Sequence, residues 1–209
     1  MNVYTFLSVG YDLLDKIWLL DGQKNPRRLI GKLIPNRECK VLDMCCGTFS
    51  NGLMIAEMNP LNTVVGIDRS KPMLREAKKK AARMCLKNAK LMCADATDTH
   101  MKAGCFDYIM IGLVLHECSE QLRRDILTEA RRLLKSDGRL IIMEWEREES
   151  LLKRMKFAPI YALEIPVNPG YFKDFFACDK TRYFEKHGFS VENNIKCNYT
   201  TVITMTLAH

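Results

Sequence analysis

Four segments of the chain carry polar residues directly after a short apolar run, and the first two have residue types that suit a nucleoside. Asp43 to Gly47 is a turn whose glycine lets the backbone approach a ligand closely. A helix that begins after this turn would offer free N–H groups to a carboxylate. Asp68 follows about twenty residues past Gly47 and can accept hydrogen bonds from both hydroxyls of a ribose.

The third and fourth segments extend the same pattern along the chain. Asp95 can accept a hydrogen bond from an adenine amino group, while the backbone N–H at Ala96 can donate to a ring nitrogen. The fourth segment runs from Ile111 to His116 and Glu117, two side chains that can position or deprotonate a reacting group. Four such segments in order are a stronger signal than any one alone.

The residues around these segments predict an alternation of strands and helices. The predicted strands are 40–44, 63–67, 89–93, 106–113 and 139–144, and the predicted helices between them are 51–58, one capped by Ser70, and 120–135, followed by a turn at 136–138. This alternation indicates a parallel sheet with helices on both faces. Ligands of such sheets bind beyond the carboxyl ends of the strands, where the four polar segments lie.

The two ends of the chain have a different organisation. Residues 2–21 and 26–33 show helical periodicity, as does 151–165. A helix at 179–187, ended by Gly188, precedes strands at 189–197 and 201–207. An antiparallel strand pair at the end of a parallel sheet is not expected of a plain dinucleotide-binding domain.

The composition is that of an ordinary globular domain. The chain has 209 residues, 47% of them hydrophobic and 27% charged, and no apolar run is long enough to cross a bilayer. Its nine scattered cysteines form no C-x-x-C pair, so we expect reduced thiols and no metal site. The net charge of +7 includes Lys78 to Lys80, interpreted as a solvated helix face. We therefore expect a cytoplasmic monomer or homodimer that binds no nucleic acid and is not an integral membrane protein.

From Lys40 to Trp145 the chain resembles a known enzyme family. The matching strings are VLDMCCGT, VVGIDRSKPMLREAKKK, LMCADATD, CFDYIMIGLVLHE and EARRLLKSDGRLIIMEW. They resemble the class I S-adenosylmethionine-dependent methyltransferases, and among these the ubiquinone/menaquinone-biosynthesis type. The segment YDLLD at Tyr11 to Asp15 is also similar to that family's segment over the cofactor.

This resemblance implies an α/β fold with a Rossmann-like seven-stranded sheet, mostly parallel with an antiparallel C-terminal strand, helices on both faces and a small helical cap. It implies S-adenosyl-L-methionine as cofactor and one methyltransferase domain over 1–209. The expected parts are a helical lid at 1–34, a cofactor-binding core at 38–146, a cap or substrate region at 150–188 and a strand pair at 189–209.

The resemblance also assigns individual residues to the cofactor. They are Tyr11 over the cofactor, Asp43, Cys45 and Gly47 at its methionine part, Asp68 at the ribose, Arg69 and Met73 near the adenosine, Asp95 and Ala96 at the adenine, and Ile111 and His116 at the sulfonium side. From their place after the fourth predicted strand, His116 and Glu117 are the catalytic candidates. Phe49 departs from the pattern, because the family usually has glycine there. Either the loop turns differently or the phenylalanine ring packs over the cofactor.

Methyl transfer from a sulfonium is an in-line displacement, so the enzyme mainly aligns the two reactants and excludes water. Candidate bases at the strand ends are His116, Glu117, Glu144 and Glu146, with a positioning role favoured for His116. The 151–176 segment is rich in aromatic side chains and predicts a small acceptor that is apolar or flat. These side chains are Phe157, Tyr161, Tyr171, Phe172, Phe175 and Phe176.

Three other functions are compatible with parts of the sequence. Cys118 and Cys178 near the expected site would suit an arsenite or thiol methyltransferase. Asp68 would also suit a nicotinamide-dependent oxidoreductase, although the turn after the first strand lacks a full G-x-G-x-x-G. Phe49 favours a non-catalytic nucleoside-binding module of the same fold.

Overall fold

The computed structural model describes residues 25–147, 150–152, 155–158 and 169–208. Its elements, in chain order, are α1 (Pro26–Leu33), β1 (Lys40–Met44), α2 (Ser50–Met58), β2 (Thr63–Asp68), α3 (Lys71–Arg83), β3 (Ala89–Cys93), β4 (Phe106–Gly112), a 3-10 turn (Leu115–Glu117), α4 (Glu120–Leu133), β5 (Leu134–Trp145), α5 (Pro169–Ala177), α6 (Lys180–Lys186), β6 (Phe189–Cys197) and β7 (Thr200–Leu207). The predicted helix at 2–21, Tyr11 and Tyr161 lie outside the described residues.

Within the described part of the chain, the strands form one seven-stranded sheet in the order β3-β2-β1-β4-β5-β7-β6. The pairs from β3 to β5 are parallel, and β7 is antiparallel to both β5 and β6. The predicted mostly parallel sheet with its antiparallel C-terminal pair is therefore confirmed. From β1 the chain adds β2 and β3 on one side of that strand, and it then returns to add β4 and β5 on the other side. A crevice therefore opens beyond the carboxyl ends of β1 and β4, where the direction of winding changes.

Each face of the sheet carries its own layer of buried side chains. Leu42, Met44 and Ile111 pack with α4 on one face, while Val41 and Met110 pack with α1, α2 and α3 on the other. Alternate residues of these strands point to opposite faces, which explains why β1 and β4 are apolar almost throughout. Among the described residues, no helix is both long and apolar enough to cross a membrane.

The predicted helix caps Ser70 and Ser119 are confirmed: Ser70 accepts a hydrogen bond from the Met73 backbone N–H, and Ser119 accepts one from Leu122. The helix predicted from residue 179 begins at Lys180, with Asp179 as its cap. One boundary was wrong, because β5 begins at Leu134 and includes the residues expected to form a turn at 136–138. Leu134 pairs with Phe106 and the register shifts before Arg139 pairs with Tyr108, so the extra residues form an irregularity within the strand.

Phe49 adopts an arrangement that the sequence did not predict. Its backbone takes the left-handed conformation (φ 65°, ψ 24°), and its side chain is fully buried in the core rather than over the cofactor site. A Cβ atom at Gly52 would lie 1.9 Å from Phe49 Cε2, and one at Gly66 would lie 2.5 Å away. The two glycines thus leave the space that the ring fills, and its burial offsets the strain of about 1–3 kcal/mol.

Gly52→Ala is expected to lower the free energy of unfolding by about 1–3 kcal/mol, because the three nearest atoms to the new methyl group all belong to Phe49. In a Phe49→Gly background the same change should stabilise by up to about 1 kcal/mol, since α2 then gains a better helix former. Urea denaturation of the four proteins checks this reversal of sign. Gly170→Ala, in α5 with open space around it, is the control and should stabilise by up to about 1 kcal/mol in both backgrounds. Equal effects of Gly52→Ala in both backgrounds would contradict the account.

Candidate active site

The loop after β1 is bound to the end of β2. Cys45 and Gly47 both have positive φ angles, 58° and 52°, so the chain turns sharply twice before α2 begins. The Cys46 N–H donates to the Ile67 carbonyl oxygen at 2.8 Å. The Gly47 N–H donates to Asp68 Oδ2, also at 2.8 Å. These bonds bring the first two sequence-predicted segments into direct contact.

Asp68 is half-buried at the end of β2, and backbone donors hold both of its carboxylate oxygens. Besides the Gly47 contact, Oδ1 accepts a hydrogen bond from the Ser70 N–H at 2.7 Å. A carboxylate oxygen accepts more than one hydrogen bond, so each can still accept from a ligand hydroxyl. The orientation of this carboxylate is therefore set before any ligand arrives.

Asp43 is a buried carboxylate with one incompletely satisfied oxygen. It is 1% exposed, and its Oδ2 accepts a hydrogen bond from the Gly52 N–H at 2.9 Å. Among the described residues, none donates to Oδ1. Burial raises the pKa of this carboxyl to about 7, against the lowering effects of the Gly52 N–H and the Arg27 charge. A buried acceptor of this kind can bind a cationic donor from a ligand.

The third predicted segment, Asp95 to Ala96, is linked to the carboxyl edge of the sheet by a backbone hydrogen bond. The Ala94 N–H donates to the Asp68 carbonyl oxygen at 3.3 Å, which places Asp95 directly after this contact. Asp95 is exposed, and its Oδ1 accepts from the N–H and hydroxyl of Thr97; these hydrogen bonds lower the Asp95 pKa. Ala96 is half-buried against the core.

The remaining side chains that were predicted to contact the cofactor differ in how deeply they are buried. Arg69 is exposed after β2, whereas Met73 is 9% exposed in the first turn of α3. Ile111 is fully buried in the core near the end of β4. Its side chain therefore supports the strand from within the core.

His116 and Glu144 form a buried pair at the ends of β4 and β5. The two residues are 2% and 1% exposed, and His116 Nδ1 lies 2.7 Å from Glu144 Oε2. Glu144 Oε1 accepts hydrogen bonds from the backbone N–H groups of Val114 and Leu115, at 3.1 and 2.8 Å. Although burial alone would raise it, the His116 ring, the Leu115 N–H and the Lys180 charge hold the pKa of Glu144 below its usual range.

An ionised Glu144 can only accept hydrogen bonds, so His116 Nδ1 is the donor in this pair. When the imidazole carries only this one proton, its lone pair lies on Nε2, which is 3.9 Å from Glu117 Oε1. Glu146, another candidate base, instead forms an ion pair with Lys180 at 3.5 Å. The structure thus brings His116, Glu144 and Glu117 together and leaves Glu146 to a different contact.

Five aromatic side chains, one of them that of His116, contact one another in a closed ring, here called the aromatic ring cluster. Centroid distances of neighbours are 6.5 Å for His116–Trp145, 5.3 Å for Trp145–Phe157, 5.9 Å for Phe157–Phe176, 5.3 Å for Phe176–Phe172 and 5.4 Å for Phe172–His116. Of the other aromatic residues predicted here, Phe175 packs in the core and Tyr171 is 40% exposed. The rings of the cluster are mostly buried, and they place flat, apolar groups next to the His116 imidazole.

Three thiols lie near the site: Cys118 is buried, and Cys45 and Cys178 are partly buried. Burial raises the pKa of Cys118 to about 12, and burial also raises the pKa of Cys45 and Cys178. The Cys118 thiol donates to the Val114 carbonyl oxygen at 3.3 Å, and the Cys178 thiol donates to the Phe175 carbonyl oxygen at 3.1 Å. A thiol loses its proton when it binds a metal or metalloid, so the raised pKa values would weaken such binding at neutral pH.

Comparison with known proteins decides the family. A model of the methyltransferase domain matches residues 35–165. Demethylmenaquinone methyltransferases of several Staphylococcus aureus strains are 30% identical over 184 residues, which are 87% of this chain and 73% of the relative. The chain belongs to the class I S-adenosylmethionine-dependent methyltransferases. It is therefore an enzyme with S-adenosylmethionine as cofactor, and neither an oxidoreductase nor a non-catalytic module.

Solved structures share the fold of this methyltransferase. A methyltransferase dependent on S-adenosylmethionine from Aquifex aeolicus is 18% identical, with 98% of each chain covered and a TM-score of 0.69. A TehB-like enzyme from Corynebacterium glutamicum is 20% identical, with 96% of this chain and 97% of that chain covered and a TM-score of 0.61.

Sequence reasoning missed two features of the methyltransferase site. Arg27 donates from Nε to Asn51 Oδ1 at 2.8 Å, and its charge acts on Asp43 from a distant part of the chain. No sequence pattern links these residues. Trp145 was also missed as a site residue, although its position one residue past the predicted end of the fifth strand was an available signal.

Proposed function

We propose that this enzyme methylates a small acceptor that is flat and apolar, bound at the carboxyl edge of the sheet against the aromatic ring cluster. The observation that carries the proposal is the closed contact of four aromatic rings with the His116 imidazole. Such surfaces bind planar apolar molecules through stacking and edge contacts. The named substrate of the Staphylococcus aureus relatives, a demethylmenaquinone, belongs to this chemical class. We also predict that the protein is a monomer or a homodimer and that its substrate is not a nucleic acid.

The residues at the edge suit the parts of the cofactor. Asp43 Oδ1, which no described residue satisfies, suits the ammonium group of the methionine part. The left-handed turn at Cys45 and Gly47 leaves backbone close to that part, and Asp68 suits the ribose hydroxyls. We also assign the remaining predicted contacts to the cofactor. These are Arg69 and Met73 near the adenosine, Asp95 and Ala96 at the adenine, Ile111 and His116 at the sulfonium side, and Tyr11 over it, outside the described residues.

S-adenosylmethionine supplies an activated methyl group on a sulfonium, and the protein then has to align the acceptor and exclude water. In this proposal the aromatic ring cluster does both, because it is flat and apolar. The Glu144 contact fixes the orientation of His116, whose Nε2 positions the acceptor and receives its proton where the acceptor arrives protonated. Glu117 lies on the Nε2 side and stabilises the imidazolium that would result.

Phe172→Leu is expected to raise KM for a flat acceptor such as dihydroxynaphthalene by about tenfold, because the edge contact with His116 and the stack on Phe176 are lost. Transfer of a labelled methyl group from S-adenosylmethionine measures this directly. Tyr171→Ala, one residue earlier and 40% exposed, is the matched control and should leave KM within about twofold. Turnover with small polar acceptors but not with flat ones would contradict the proposed acceptor class.

A further inference from the structure

The indole N–H of Trp145 is a buried donor from which no described residue accepts a hydrogen bond. Trp145 is 8% exposed at the carboxyl end of β5, directly after Glu144, and its Nε1 has no hydrogen-bond partner among the described residues. An indole nitrogen only donates, so it cannot be satisfied by another N–H. Leaving a buried donor unpaired costs about 1–3 kcal/mol, and such groups are uncommon in native proteins.

The described residues around Trp145 explain why none of them accepts a hydrogen bond from this donor. Phe157 meets the indole at 5.3 Å with an interplanar angle of 65°, and His116 lies 6.5 Å away at 55°. The His116 Nδ1 already binds Glu144, and both oxygens of that carboxylate accept other hydrogen bonds. The neighbourhood therefore consists mainly of ring surfaces, which offer contact area but few lone pairs.

We propose that Trp145 is a specificity-determining residue that donates its indole N–H to an oxygen of the methyl acceptor. This inference rests on the proposed function, because it places the acceptor against the aromatic ring cluster beside His116. The substrate class becomes narrower: a flat, apolar ring that carries at least one carbonyl or phenolic oxygen. Hydrocarbon rings of the same size leave the donor unsatisfied and are rejected, since only an oxygenated ring replaces the missing hydrogen bond.

The proposal is tested by calorimetry on the full chain loaded with S-adenosylhomocysteine, with naphthol and naphthalene as probes that differ by one oxygen. The wild type should bind naphthol about tenfold more tightly, which corresponds to one hydrogen bond of about 1.4 kcal/mol. Trp145→Phe should reduce this ratio to within about twofold, because the ring remains and the donor is lost. Benzothienylalanine at position 145 keeps the shape of indole without its N–H and should give the same result if Trp145→Phe folds poorly.

Tyr199→Phe is the matched control, because Tyr199 is 6% exposed and stacks on Phe157 at 5.7 Å. It also removes one polar atom from this neighbourhood, and it should leave the naphthol preference intact. An equal loss of preference in this control, an unchanged preference in both Trp145 variants, or no preference in the wild type would each overturn the inference. Methyl transfer to flat acceptors, measured in parallel, separates these outcomes from a failure of the proposed function.

Discussion

Asp43→Asn is expected to weaken binding of S-adenosylhomocysteine by at least about 100-fold, because it removes the buried carboxylate that we propose pairs with the ligand's ammonium group. The free protein should nevertheless be at least as stable as the wild type at about pH 8. Asparagine can still accept the Gly52 N–H through its carbonyl oxygen, so the anchor of α2 is kept. Calorimetry measures the binding, and urea denaturation of the free protein measures the stability.

The direction of the stability effect follows from the pKa. The folded-state pKa of Asp43, about 7, lies above the ordinary value of 3.8, so the fold favours the protonated carboxyl. Its contribution to stability is therefore present at low pH and is lost as the pH rises from about 4 to 7. A neutral amide at this position avoids that loss. In the wild type, cofactor affinity should correspondingly fall as the pH drops below about 7, because the ligand's ammonium group needs the ionised form.

Asp95→Asn is the control for Asp43, since it removes an exposed carboxylate that already accepts two hydrogen bonds from Thr97. It should reduce affinity by no more than about tenfold. If Asp43→Asn binds the ligand as tightly as the wild type does, the ammonium assignment is wrong. If it instead unfolds the free protein, the Asp43 carboxylate is a structural group and not a ligand group.

The sheet was predictable because its signals are local. Strands such as β1 and β4 are short apolar runs. Two of the helices that connect the strands are capped by Ser70 and Ser119, each of which accepts a hydrogen bond from the backbone N–H three residues further on. The sheet order places the ends of these strands along one edge. Asp43, Gly47, Asp68 and the residues after β4 were therefore expected to lie along that edge.

The features that were not predicted depend on contacts between distant parts of the chain. The position of the Phe49 ring depends on the lack of a side chain at Gly66, on the neighbouring strand β2. The β5 boundary depends on the pairing of Leu134 with Phe106. Hydrophobic pattern and turn propensity are properties of adjacent residues, so they contain no information about which glycine leaves space for which ring.

Glu144→Gln is expected to lower kcat by about 100-fold while KM for the cofactor stays within about threefold. Its side-chain oxygen still accepts from the Val114 and Leu115 N–H groups, so the backbone is held as before. Its amide group, however, donates to His116 Nδ1, which moves the imidazole proton to Nε2. An Nε2 that already carries a proton can neither receive one from the acceptor nor accept its hydrogen bond.

Two measurements separate this positioning role from a general loss of structure. Nitrogen NMR of labelled His116 should show the proton on Nδ1 in the wild type and on Nε2 in Glu144→Gln. Glu146→Gln, whose carboxylate pairs with Lys180 at 3.5 Å, is the matched control and should keep kcat within about threefold. An unchanged kcat together with the shifted tautomer would show that the acceptor brings no proton to the site. The His116 ring would then act only as part of the aromatic surface that aligns the acceptor with the methyl group.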